Sequence, residues 1–145
     1  MKNMGKRSCQ KVYDAVGSVP GKSKFSNGSS GFSGLQEFAT SHKHNKLHAN
    51  KAEKFPVEFV NVRTPTDILH QTQMPSNIDY LSLDVEGSEM DILKSFPFDK
   101  HCIRYATIET NGDKEKEKEV EAFMAERGYT FLEHVGVDHH FTNSC

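Results

Sequence analysis

The sequence predicts an α/β fold with a Rossmann-like, mostly parallel sheet and an antiparallel strand pair at its C-terminal end, and three observations predict it. Between Val57 and Glu109, short apolar runs alternate with capped helical runs in the order of βαβ units joined by right-handed crossovers. Two of the runs, Ile78 to Val85 and Cys102 to Glu109, are apolar over most of their length, as strands covered on both faces are. Two further strand-like runs, Tyr129 to Val135 and Val137 to Thr142, flank Gly136 closely enough to pair antiparallel.

Taken in order, Gln10 to Val19 carries Val12, Tyr13, Ala15, Val16 and Val19, a short run that suits a strand and is closed by Pro20-Gly21. Lys22 to Ser26 would then pair back on it as a hairpin. Asn27 to Lys54 is polar, with glycines and serines followed by a basic, His-rich stretch, and reads as a flexible loop with at most a helical turn near Leu35 to Ala39. Val57 to Val62 alternates as a half-buried strand does. Thr64-Pro65-Thr66-Asp67 then supplies an N-cap, a proline at the first helical position and a carboxylate at N3, for a helix running to about Thr72. After the strand from Ile78, Ser88 is placed to cap a helix with Asp91 at N3, and Pro97 stops it. The last helix runs from Asp113 to Arg127. Val120, Phe123, Met124 and Arg127 share its packed face, Lys114 to Glu119 is expected in water, and Gly128 ends it.

Composition narrows the function. The 145 residues fit one domain, 1–145, and a net charge of −2 with interspersed acids and lysines offers no field for gripping a phosphate backbone, so nucleic acid is not an expected partner. Mean hydropathy is −0.65 and no run approaches a membrane span, so a soluble chain is expected. Cys9, Cys102 and Cys145 are odd in number and widely spaced; they predict neither a disulfide framework nor a metal knuckle, and favour a reducing, cytoplasmic setting.

Chemistry is expected at one rim of the sheet. Ligands of open parallel sheets bind beyond the carboxyl ends of the strands, where loop amides and helix N-termini converge. Asp84 and Glu86 follow the strand from Ile78, and Glu109 ends the strand from Cys102. If those strands are neighbours, three carboxylates share a crevice, where mutual repulsion raises a pKa and makes one of them a usable base. The plainer alternative is that Glu86 and Glu89 only decorate a helix N-terminus.

The run Ile78-Asp79-Tyr80-Leu81-Ser82-Leu83-Asp84-Val85-Glu86-Gly87-Ser88-Glu89, with Ile92-Leu93 after it, closely resembles the central segment of FkbM-type methyltransferases, Asp, aliphatic, Glu, Gly, any residue, Glu, then an aliphatic pair. Ala15-Val16-Gly17, Thr66-Asp67-Ile68-Leu69, Ile108-Glu109-Thr110-Asn111 and Gly128-Tyr129 occur in the family's order, so the resemblance spans Val12 to Phe141. It implies transfer of a methyl group from S-adenosylmethionine to a hydroxyl of a sugar or small natural product. It also implies roles: Asp84 beside the transferred methyl, Glu109 with it as a catalytic residue, Ala15, Val16 and Gly17 against the adenine, and Glu86 and Asn111 bordering the acceptor.

Family members begin with a strand and a glycine-rich turn for the methionine end of the cofactor, then a strand ending in an acid for the ribose. Neither is found ahead of the matched region, and Gly28-Ser29-Ser30-Gly31-Phe32-Ser33-Gly34 lacks the strand and helix such a turn needs. A partial domain is therefore expected, binding S-adenosylmethionine weakly or not at all, with an exposed sheet edge open to association. A non-catalytic scaffold is the rival reading. No metal site is expected from His42, His44 and His48, which lack further ligands; His139-His140 beside Asp138 reads likewise as solvated surface, with contact to a substrate as the lesser alternative. A third and weaker idea is magnesium or manganese at the carboxylate rim.

Overall fold

A computed structural model describes residues 7–26, 33–36 and 56–145. The chain forms β1 (Ala15–Val16), β2 (Gly21–Ser26), β3 (Gly34–Leu35), β4 (Val57–Arg63), α1 (Pro65–Gln71), β5 (Asn77–Leu83), α2 (Glu89–Ser95), β6 (Cys102–Glu109), α3 (Lys114–Ala125), β7 (Thr130–Val135) and β8 (Asp138–Thr142). The α/β class holds, but the strands form two four-stranded mixed sheets, β1-β4-β2-β3 and β5-β6-β8-β7. A mostly parallel sheet is not what forms. Of the six strand pairings among the described residues, only β1 with β4 and β5 with β6 are parallel.

The first sheet departs most from expectation. From Gln10 to Val19 only Ala15–Val16 is strand, and β2 does not fold back on it: β4 lies between them, parallel to β1 and antiparallel to β2 from Gly21↔Val62 to Ser26↔Val57. Leu35, expected in a loop or helical turn, is instead a buried strand residue opposite Phe25. The rest of the expected loop, 27–32 and 37–54, lies outside the described residues, as do His42, His44 and His48. β4 is less buried than its alternation suggests, with Phe59 72% exposed and only Val62 enclosed.

The second half keeps the expected order of strands and helices, but β5 is not covered on both faces: it is an outer strand with only Ile78 and Leu83 buried and Tyr80 exposed. Thr64 caps α1 in a full capping box: its Oγ1 accepts from the Asp67 N–H at 3.1 Å, and Asp67 Oδ2 accepts from the Thr64 N–H at 3.3 Å. The Thr64 bonds hold the Asp67 carboxyl below its ordinary pKa. Ser88 sits at the N-cap of α2 without making a side-chain cap. Asp113 caps α3, accepting from the N–H groups of Glu115 and Lys116. One core joins α1, α2 and α3 to the β5-β6-β8 layer through Leu69, Leu83, Leu93, Ile103, Ile108, Val120, Met124 and Phe141, with Val16 of the first sheet packed against it. Each such side chain contributes about 1.5–3 kcal/mol of burial. Tyr129 closes the core from below α3, its hydroxyl accepting from the Ile103 N–H at 3.0 Å.

The cysteines correct the expectation of free thiols: Cys102 and Cys145 are joined in a disulfide, with Cα atoms 6.1 Å apart, and Cys9 is free and exposed. Topology explains the pairing. β8 runs antiparallel to β6, Tyr105 pairs with Thr142, and the Asn143 N–H donates to the Arg104 carbonyl, so the chain end arrives at the start of β6. His139 and His140 are structural as well. His139 is buried between Thr110 Oγ1 at 3.2 Å and Glu121 Oε1 at 3.0 Å, and His140 Nδ1 meets the Tyr105 hydroxyl at 2.7 Å. β5 and β7 are the outer strands of this sheet, and β7 exposes Phe131, Leu132 and Val135. No helix among the described residues is long and apolar enough to cross a membrane.

Candidate functional site

β5 and β6 run side by side in parallel with their last paired residues at Leu83↔Ile108, so Asp84 and Glu109 are the next positions on adjacent strands at the same rim. From Asp84 the chain turns sharply into α2, and Glu86 takes a left-handed backbone, φ 59°. Such a conformation is strained for a residue with a side chain and must be held by its surroundings. Glu89 holds it: its Oε1 accepts from the Val85 N–H at 3.0 Å and the Gly87 N–H at 3.1 Å, bracketing Glu86 on both sides.

The first sheet reaches the same loop at two points. Gly34 of β3 lies so near that a Cβ there would sit 3.4 Å from Glu86 Cβ and 3.6 Å from the Val85 carbonyl. Just after β1, the Ser18 N–H donates to Asp91 Oδ2 at 3.2 Å, tying that strand's end to the first turn of α2. Ala15 and Val16 thus belong to the other sheet, and Ser18, two residues on, is what ties their end of the chain to α2. Gly17 is required by packing: a Cβ on it would come within 2.7 Å of Val62 Cγ1.

The carboxylates converge. One oxygen each of Asp84, Glu89 and Glu109 lies within 4.8 Å of the others, with Asp84 exposed and the two glutamates buried. Glu109 is only 7% exposed, and its Oε2 is buried without a hydrogen-bond partner. Burial first, then repulsion from Asp84, Glu86 and Glu89, pushes the Glu109 carboxyl up to about 8. Glu86 is raised for the same reasons, burial ahead of its acidic neighbours. Glu89 goes the other way. Burial opposes its ionisation, but Lys116 Nζ at 2.7 Å from Oε2 and the loop N–H groups outweigh it and keep the carboxylate charged. Asn111, exposed and with φ 56°, lies in the turn from β6 to α3.

Beside this rim is a hollow of about 180 Å³ lined by Gly87, Met90, Asp113, Glu115, Lys116 and Glu119. It is smaller than the roughly 300 Å³ at which small-molecule pockets usually begin.

The structure therefore brings Asp84 and Glu109 together, as the two-strand argument requires, with Glu86 within electrostatic reach of both; Ala15 and Val16 lie in β1 of the first sheet and Asn111 in the turn after β6. Two residues essential to the arrangement went unread in the sequence. Glu89 stood in the family-like segment but was given no role beyond helix-end decoration, and Lys116, with Glu117, was expected in water; Glu89 is fully buried and Lys116 and Glu117 are 8% and 7% exposed. A signal was present, since Lys116, Val120 and Met124 recur every four residues and share the packed face of α3.

The family model for the methyltransferase FkbM domain matches residues 4–131. No curated protein and no solved structure matches the chain. The matched region contains the loop from Asp84 to Glu89, both parallel strands of the rim and Lys116, so the family's sequence pattern and the convergence of acids coincide in one place. The chain belongs to the FkbM methyltransferase domain family.

Proposed function

We propose that this domain transfers the methyl group of S-adenosylmethionine to a hydroxyl of a sugar or small natural product. The observation that carries the reading is the convergence of Asp84 and Glu109 with Glu89 beyond the paired ends of β5 and β6, with Glu86 in electrostatic reach. Such an acidic set fits the cationic end of the cofactor: at Glu109, three acidic neighbours, Asp84, Glu86 and Glu89, are opposed by Lys116. When bound, the cofactor supplies an electrophilic methyl on a sulfonium.

The remaining work belongs to the chain's own residues. Asp84, exposed at the mouth, would hold the sulfonium end, and Ala15, Val16 and Gly17 would border the adenine, as the family resemblance implies. Glu86 and Asn111 flank the acceptor. Glu109 has in Oε2 a free acceptor with which to take the hydroxyl proton. Because its carboxyl stays protonated up to about 8, turnover should climb as pH rises through that value. Positioning accounts for most of the remaining acceleration, as an in-line displacement demands little else.

The test is formation of S-adenosylhomocysteine from S-adenosylmethionine over a panel of sugars and polyols. Asp84→Asn should lower the rate by about 100-fold with the protein still folded. Unchanged turnover in that variant would remove Asp84 from the site. A non-catalytic scaffold is the second reading, favoured by Gly17, whose surroundings are filled by Val62 and Leu35. Calorimetric titration with S-adenosylmethionine separates the two, because a scaffold gives no saturable heat.

A further inference from the structure

We propose that Asp84 and Glu109, backed by Glu89, form a binding site for a divalent cation that prefers oxygen ligands. The inference does not depend on methyl transfer, and with the ion bound Asp84 and Glu109 are its ligands rather than a sulfonium contact and a proton acceptor.

An acidic cluster alone would not carry it, because exposed acids often gather with nothing bound. Here one member is not exposed. Glu109 is more than nine-tenths buried, and Oε2 has lost water without gaining a donor. Burying a polar atom in this way is costly, more so if it is charged, unless something completes its coordination. The same carboxylate is one of the three whose oxygens lie within 4.8 Å of each other.

Chemistry gives the class of ion. The three carboxylate oxygens lie within 4.8 Å of one another, close enough to share one cation, and hard divalent ions such as calcium and magnesium take carboxylate oxygens. No described histidine or cysteine belongs to the cluster, which disfavours zinc and copper. Glu89 plays the lesser part: a carboxylate has about four acceptor positions, and bonds from Val85, Gly87 and Lys116 use three of them. Asp84 and Glu109 are accordingly the principal ligands. Exposed Asp84 leaves the outer side open to water or to a hydroxyl-bearing ligand, as such ions usually require.

The experiment is calorimetric titration of the full chain with magnesium chloride and, separately, calcium chloride, after stripping with a chelator. Saturable one-to-one binding of either ion is expected, weakened about tenfold or more by Asp84→Asn and by Glu109→Gln, since losing even an outer support of a metal site costs that much. Saturable binding of either ion that depends on Asp84 supports the site. Asp84 is exposed, so its variant tests the site even if Glu109→Gln folds poorly. The absence of saturable heat up to millimolar concentrations of both ions, or binding that Asp84→Asn leaves unchanged, would overturn the proposal.

Discussion

Replacing Lys116 with methionine is expected to destabilise the domain by about 3–5 kcal/mol, the usual cost of removing one partner of a buried ion pair. The lysine ammonium lies 2.7 Å from Glu89 Oε2, with side-chain exposures of 8% and 0%, so the variant strands a carboxylate that water cannot reach. The loss spreads beyond the pair. Lys116 also restrains the upward shifts of Glu86 and Glu109, and without it the whole rim becomes harder to ionise. The double variant Glu89→Gln with Lys116→Met should recover most of the stability, because glutamine keeps an oxygen for the N–H groups of Val85 and Gly87 while the buried charges go together. Urea unfolding at neutral pH measures both. A loss under about 1 kcal/mol for the single variant would mean that Lys116 does not neutralise Glu89 inside the protein.

That pair also marks where sequence reasoning stops. Elements whose cause is local were legible: the Thr64 capping box, the Asp113 cap, the apolar runs of β5 and β6, and the β7–β8 turn at Gly136 each rest on a few neighbouring residues. The convergence of Asp84 and Glu109 was legible too, because it needs only that two apolar strands lie side by side in parallel. What escaped was set by partners distant in the chain. Lys116 meets Glu89 across 27 residues and Cys102 meets Cys145 across 43, and no local pattern announces either. The first sheet is the same case. β2 has a turn before it that suggests a hairpin, yet it takes a six-residue ladder with β4 in preference to a two-residue partner in β1. More backbone groups are satisfied that way.

The second large effect is a fall in stability with rising pH in metal-free protein, traced to Glu109. Its carboxyl titrates near 4.5 in the unfolded chain and about 8 in the folded one. Between those values the native state holds a proton that the unfolded state has released, so stability declines as pH rises across the window and levels off above about 8. Full conversion at about 1.4 kcal/mol per unit gives nearly 5 kcal/mol, and sharing of charge among the neighbouring acids reduces it to the order of 3 kcal/mol. Glu86, raised in the same direction, adds to the decline. Glu89 is lowered, so its contribution is present above its unfolded value and disappears on acidification, which places the greatest stability in mildly acidic solution. Glu109→Gln cannot ionise and should flatten the profile, leaving the variant more stable than the parent at pH 9. Urea midpoints for both proteins in chelator at pH 5, 7 and 9 are the measurement. Parallel profiles would show that Glu109 ionises in the fold as easily as in water, and the rim would then lack the desolvated, mutually repelling acids on which its chemistry depends.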